Sequence, residues 1–108
     1  MWGRLRRLWL RVKARLTLRQ WVEVFGPFTV VQPTNVWVGR GVAINHGVFI
    51  LGRCGVTIED GVTLSARCML LDAGIDLARS FHQVADRSYA AAPILVREGA
   101  WIGAGAIV

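Results

Sequence analysis

Aliphatic residues recur at a six-residue interval through most of the chain after residue 36. Two extra residues and then a longer insertion interrupt the interval, and it resumes each time. An α-helix or a flat strand would not produce it, because their apolar faces repeat every ~3.6 and ~2 residues. A short strand followed by a tight turn does produce it. The interval is set by nine residues: Val38, Ile44, Ile50, Ile58, Leu64, Leu70, Val96, Ile102 and Val108.

Small or β-branched residues stand four places further on in most of these hexads. One hexad cannot bury its own aliphatic side chain, whereas three successive hexads can close into a triangular coil, and coils can stack in parallel. The small residue fits the crowded corner of such a coil, and we expect Cys68 to be a buried thiol there. These positions are Val42, Val48, Val62, Cys68, Ala100 and Ala106.

The first segment has a different period, which predicts an amphipathic helix. Trp2, Leu5, Trp9, Val12 and Leu16 follow a spacing of three and four residues and would share one helical face. One interpretation is a cap helix that covers an open end of the repeat with this face. Another is an interfacial helix, with tryptophans among lipid headgroups and arginines on anionic lipid. Nucleic-acid binding is the third, and we expect no nucleic-acid partner because the rest of the chain lacks a basic aromatic surface.

The distribution of charge also separates the predicted helix from the repeat. The net charge is +6, yet residues 1–19 carry seven basic and no acidic side chains, so the remainder sums to −1. We therefore predict a basic amphipathic helical arm over residues 1–26 and a repeat domain over residues 27–108, with an inserted loop over residues 72–93. The two cysteines form no CxxC motif or Cys/His cluster, so no metal site is expected and a reducing, cytoplasmic setting fits.

Three segments carry a resemblance to a known family: Ile58-Glu-Asp-Gly-Val-Thr, Val96-Arg-Glu-Gly-Ala-Trp and Ile102-Gly-Ala-Gly-Ala-Ile. They resemble the hexapeptide-repeat acyltransferases, in the branch of the sugar O-acetyltransferases. The resemblance implies an all-β, left-handed parallel β-helix, here preceded by a short helix. It also implies a homotrimer that transfers an acetyl group from acetyl-coenzyme A to a hydroxyl of a sugar or glycan precursor in polysaccharide biosynthesis. The basic arm would then hold this cytoplasmic enzyme at the inner membrane surface.

The same resemblance assigns site residues one by one. Its catalytic histidine corresponds to Ile75, which cannot accept a proton, and an acidic position corresponds to Arg53. Asn45 and Trp101 match the family pattern, at a catalytic and a substrate-binding position.

Other residues then have to complete the site. His82, in the inserted loop, is the tentative substitute base, and His46 is interpreted as a structural turn residue that could also face the cleft. Asp72, Asp76 and Tyr89 are further substrate-binding candidates. Ordinary solvation is the alternative for the two aspartates, and packing is the alternative for the tyrosine.

A function of another class stays open. The chain could be a non-catalytic scaffold or assembly module that has this repeat without the base. The sequence stops at Val108, in the first position of a hexad. From this we expect a fragment that is truncated at its C-terminus.

Overall fold

A computed structural model describes residues 2–75 and 89–108, with only the backbone described for Trp2 and Tyr89. One helix, α1, spans Trp2–Leu18, and a 3-10 turn spans Pro33–Asn35. The strands are β1 Glu23–Val24, β2 Thr29–Val31, β3 Val36–Val38, β4 Ala43–Ile44, β5 Phe49–Leu51, β6 Val56–Ile58, β7 Thr63–Leu64, β8 Met69–Leu71, β9 Ala73–Ile75, β10 Tyr89–Ala91, β11 Ile94–Val96 and β12 Trp101–Ile102.

These strands form three small parallel sheets and one antiparallel pair. The parallel sheets have the orders β1-β4-β7-β12, β11-β6-β3 and β2-β5-β8, and β9 pairs with β10. Partners in neighbouring strands are mostly 20 residues apart in the chain, as Val36 is from Val56 and Phe49 from Met69. Each sheet therefore receives one strand from each successive stretch of about that length.

The predicted fold class, an all-β left-handed parallel β-helix, is wrong for this structure. The strands are two or three residues long and lie in separate small sheets, and the described residues do not close into a solenoid. In addition, α1 contributes side chains to the same hydrophobic core as the strands. The fold is instead a set of short parallel strands in small sheets combined with one helix.

The hexad spacing nevertheless identifies most of the core. Of the aliphatic positions, Ile44, Ile50, Ile58, Leu64, Leu70 and Val96 are buried. Val38 and Ile102 are only partly buried, and Val108 is 48% exposed. Cys68 is fully buried, which confirms its predicted position.

Helix α1 lies over the end of the sheets where β1 and β3 are edge strands, and it contacts both of them and the 3-10 turn. Its buried stripe consists of Leu10, Ala14 and Leu18. Nζ of Lys13 donates a hydrogen bond to the backbone carbonyl of Phe28 at 3.3 Å and lies 5.2 Å from the centre of the Phe28 ring. The interpretation of α1 as a cap is thus supported, although by a face that the sequence spacing did not identify.

The face that the cap interpretation would bury against the repeat points the other way. Leu5, Trp9 and Leu16 are 61%, 63% and 75% exposed, and we call them the exposed stripe. At ~100° per residue, the centre of this stripe lies about 160° around the helix from the centre of the buried stripe. Helix α1 is therefore apolar on two opposite faces, of which only one is covered.

The predicted helical arm over residues 1–26 is helical only to Leu18. Beyond it, Glu23–Val24 forms β1 and pairs in parallel with Ala43–Ile44. The end of the arm therefore belongs to the first sheet.

Of the loop predicted over residues 72–93, Ala73–Ile75 and Tyr89–Ala91 form an antiparallel pair of strands.

Candidate functional site

Three tight turns follow the strands β4, β7 and β12 and lie side by side at one edge of their sheet. In each turn the backbone N–H of the fourth residue approaches the carbonyl of the first, for example Cys68 to Ser65 at 3.2 Å and Ala106 to Gly103 at 3.1 Å. The third residue has a positive φ in every case: 77° at Gly47, 60° at Arg67 and 70° at Gly105. A turn of this kind favours glycine at its third position, which explains two of these three residues. We call this row the turn edge.

Asn45 and His46 open the first of these turns. The side-chain amide of Asn45 donates a hydrogen bond to the carbonyl of Leu64 at 3.0 Å, so one end of this amide links neighbouring turns. Its oxygen has the capacity to accept a hydrogen bond from a substrate. The predicted role of Asn45 in catalysis stays a prediction, beside the structural role that this bond gives it.

His46 is exposed and lies against the backbone of Gly26. A Cβ atom at Gly26 would lie 2.6 Å from Nδ1 of His46, so the imidazole occupies space that only glycine leaves. The residues Arg6 and Arg7 of α1 join them around a cleft of about 250 Å³, which we call the His46 cleft. A proton acceptor and two cations thus meet in one recess.

Arg6 and Arg7 could not be connected with His46 from the sequence. They are some 40 positions away in the chain and belong to a run of basic residues that shows no link to the turn edge. Only the packing of α1 across the edge strands brings the two segments together. The glycine at position 26 was a weak signal of a close approach, but it did not indicate what approaches it.

Asp72 has a structural role. It is 3% exposed, and its carboxylate accepts hydrogen bonds from the backbone N–H groups of Arg53, Cys54 and Gly55 at 2.8, 2.6 and 2.7 Å. Burial is the largest single influence and raises the pKa of Asp72, but the hydrogen bonds together outweigh it and lower the pKa below its ordinary value. A carboxylate occupied in this way stabilises the segment at residues 53–55 and is not available to a substrate.

Trp101 lies at the turn edge and is 76% exposed, and its indole N–H donates a hydrogen bond to the hydroxyl of Ser65. This bond fixes the ring while leaving most of its apolar surface open, which suits the predicted substrate contact. Ile75 is 42% exposed and lies in β9, opposite the backbone of Tyr89. Asp76 and His82 lie outside the described residues, so their predicted roles stay predictions.

A second recess of about 330 Å³ lies beside Trp37 and contains the acidic residues Glu59, Asp60 and Glu98. Two of these carboxylates already bind backbone groups: Asp60 accepts from the N–H of Arg40 at 2.8 Å, and Glu59 from the N–H of Glu98 at 3.0 Å. Within residues 2–75 and 89–108, no group of His, Cys, Asp and Glu is arranged to hold a metal ion. The His46 cleft is therefore the better candidate for chemistry.

Comparisons with known proteins do not assign the chain to a family: no family model, no curated protein and no solved structure matches it. In the part of the chain that the structure describes, no helix is both long and apolar enough to cross a membrane.

Proposed function

We propose that this chain is an acetyl-coenzyme A dependent O-acyltransferase that acts on a hydroxyl of a sugar or glycan precursor. The resemblance of its hexads to acyltransferase repeats suggests the reaction. The observation that carries the proposal is the His46 cleft, where an exposed imidazole adjoins two arginines. The proposal further includes assembly as a homotrimer and a cytoplasmic location, with which the two free cysteines agree.

The reaction needs a base for the acceptor hydroxyl. His46 would take the hydroxyl proton, and the oxygen would attack the carbonyl carbon of the thioester. The C–S bond then breaks, the acetyl group passes to the oxygen, and coenzyme A leaves as a thiol after receiving the proton. Imidazole suits this step because its ordinary pKa, about 6.5, lies near neutrality.

The cleft also fits the charge of the donor. Coenzyme A carries phosphate groups, and an arginine guanidinium binds phosphate through paired N–H donors. Arg6 and Arg7 stand on α1 beside His46 and could hold such a group within reach of the base. Asn45 and Trp101, on the adjoining turn edge, remain the predicted contacts for the acceptor.

A non-catalytic assembly module is the second candidate. It is favoured by Ile75, which stands where the resemblance requires the base. It is also favoured by apolar side chains that are left exposed, such as Leu95 in the edge strand β11, at 52%, and Ile107, which bridges to Met69, at 70%.

The two candidates differ in one assay, the release of free thiol from acetyl-coenzyme A in the presence of a panel of sugar acceptors. We expect His46→Ala to lower kcat by about 10² to 10⁴-fold, the usual contribution of a general base. His82→Ala is the matched control and should leave kcat unchanged.

A loss of activity confined to His82→Ala would instead identify His82 as the base, as the sequence first suggested. If the wild-type protein neither binds acetyl-coenzyme A in calorimetry nor releases thiol, the acyltransferase proposal fails and the assembly module remains.

A further inference from the structure

The exposed stripe of α1 has no covering surface in the described part of the chain. Leu5, Trp9 and Leu16 lie within about 40° of one another around the helix, and Leu8 beside them is 58% exposed. Scattered exposed apolar residues are normal, but an aligned row of them marks a binding surface. The chemistry around the stripe indicates which partner it fits.

Arginines border this stripe on both sides. Arg6 lies between the exposed and buried stripes on one side of α1, and Arg4, Arg11 and Arg15 lie between them on the other, as the helical period requires. Arg4, Arg7 and Arg11 also line a cleft of about 280 Å³ with Leu8 and Phe25, in which Glu23 is the acidic residue. Glu23 is 4.0 Å from Arg11, so Arg4 and Arg7 supply the positive charge that this ion pair does not offset.

We propose that α1 docks the protein flat on a membrane that contains anionic phospholipids. Its exposed stripe would enter the layer between headgroups and acyl chains, and the bordering arginines would bind lipid phosphates. Tryptophan favours this interfacial layer, which places Trp9 at the centre of the contact.

The opposition of the two stripes makes this docking geometrically possible. The sheets pack on the buried stripe, so they lie on the side of α1 that faces away from the exposed stripe. A flat membrane can therefore approach the whole length of the helix, about 26 Å at 1.5 Å per residue, without contact with the sheets. The apolar stripe itself lies on a different face of the helix from the one that adjoins the sheets, and of the bordering arginines only Arg6 also lines the His46 cleft.

Charge argues against a second copy of the chain as the occupant. Residues 1–19 carry seven basic and no acidic side chains. Pairing two exposed stripes would bring both sets of charges together, and like charges at an interface oppose association. An anionic lipid surface has the complementary charge.

The test is co-flotation of the full chain with phosphatidylcholine vesicles, prepared with and without phosphatidylglycerol. We expect binding only when phosphatidylglycerol is present, and weaker binding as salt rises. Trp9→Ser should weaken binding by at least about tenfold, because a large apolar side chain no longer enters the membrane. Trp37→Ser is the matched control, since Trp37 is 54% exposed but lies in β3, and it should bind like the wild type.

Circular dichroism and thermal unfolding check that both variants are folded. The proposal is overturned if the wild type stays unbound, or if Trp9→Ser binds as the wild type does. It is also overturned if sedimentation without vesicles shows self-association that Trp9→Ser abolishes, because the stripe then binds a second copy. As a further variant, Arg4→Gln with Arg15→Gln, which removes two of the bordering arginines, should bind more weakly and with a smaller dependence on salt.

Discussion

Aliphatic residues of the strands and apolar residues of α1 both repeat regularly, yet α1 buries only one of its two apolar faces among the described residues. Ile44 and Leu64 are completely buried in neighbouring strands of one sheet, whereas Leu16 of α1 is 75% exposed. The strands bury their side chains because the next stretch of chain supplies another layer. Helix α1 meets the sheets on one side only, so no residue that the structure describes covers its second apolar face. A period therefore identifies a face, and the neighbouring elements decide whether that face is buried.

The largest effect should come from truncating Leu64 in the strands, and Leu16 in α1 provides the comparison. Leu64→Ala opens a cavity between β4 and β12, and such changes cost about 2 to 5 kcal/mol of unfolding free energy. Leu16→Ala should change that free energy by no more than about 0.5 kcal/mol, as surface substitutions do. Urea unfolding followed by circular dichroism measures both. A cost for Leu16→Ala close to that of Leu64→Ala would mean that the exposed stripe is covered in solution, and the comparison would break.

This difference also explains how far the sequence could predict the structure. The hexads identified buried side chains such as Ile50 and Leu70, because a short strand and a tight turn always bring the same position inward. They did not identify the fold class, because the spacing does not show that the strands divide into separate small sheets or that α1 joins the same core. For α1, the spacing identified the face that contains the tryptophans but not the face that the sheets cover, which includes the inconspicuous Ala14.

The candidate site could be predicted even less from the sequence. Asn45 follows β4 and Trp101 lies in β12 of the same sheet, but the two are not equivalent positions: Trp101 is in register with Thr63, and β7 lies between their strands. The approach of Arg6 and Arg7 to His46 depends on how a helix crosses that edge, and no local pattern specifies the crossing. Asp72 was expected to be solvated or to bind substrate, and instead it binds backbone N–H groups, which are the same for every sequence.

A pair of charged residues tests the same comparison. In the described part of the chain, the strand region buries the carboxylate of Asp72, whereas α1 exposes its arginines. Asp72→Asn removes the charge that three backbone N–H groups bind, and we expect a loss of about 2 to 3 kcal/mol of unfolding free energy at neutral pH. Arg15→Gln, on the exposed side of α1, is the control and should have almost no effect.

The pH dependence follows from the pKa of Asp72, which is lower in the folded protein than its ordinary value near 4. The unfolded chain then binds the proton more readily, so the stabilisation is complete above about pH 4 and is lost as the pH falls toward the folded pKa. Urea midpoints at neutral and acid pH should show wild type and Asp72→Asn converging in acid. An equal difference at both pH values would contradict the role of the ionised carboxylate.

The smallest effect should come from two glycines after edge strands, of which one packs against the next stretch of chain and the other does not. A Cβ atom at Gly39 would meet the Asp60 carboxylate and would lie 2.7 Å from the backbone nitrogen of Asp60 and 2.9 Å from the carbonyl carbon of Glu59. Backbone cannot yield as a side chain can, so Gly39→Ala should cost about 1 to 2 kcal/mol. Gly103, which follows the edge strand β12, has no atom within 4 Å of that position. Gly103→Ala should therefore be neutral within about 0.5 kcal/mol. Equal costs for Gly39→Ala and Gly103→Ala in urea unfolding would show that Gly103 is also packed against another surface in solution. The sheet would then be covered at β12 too, and the distinction between covered and uncovered surfaces would not hold there.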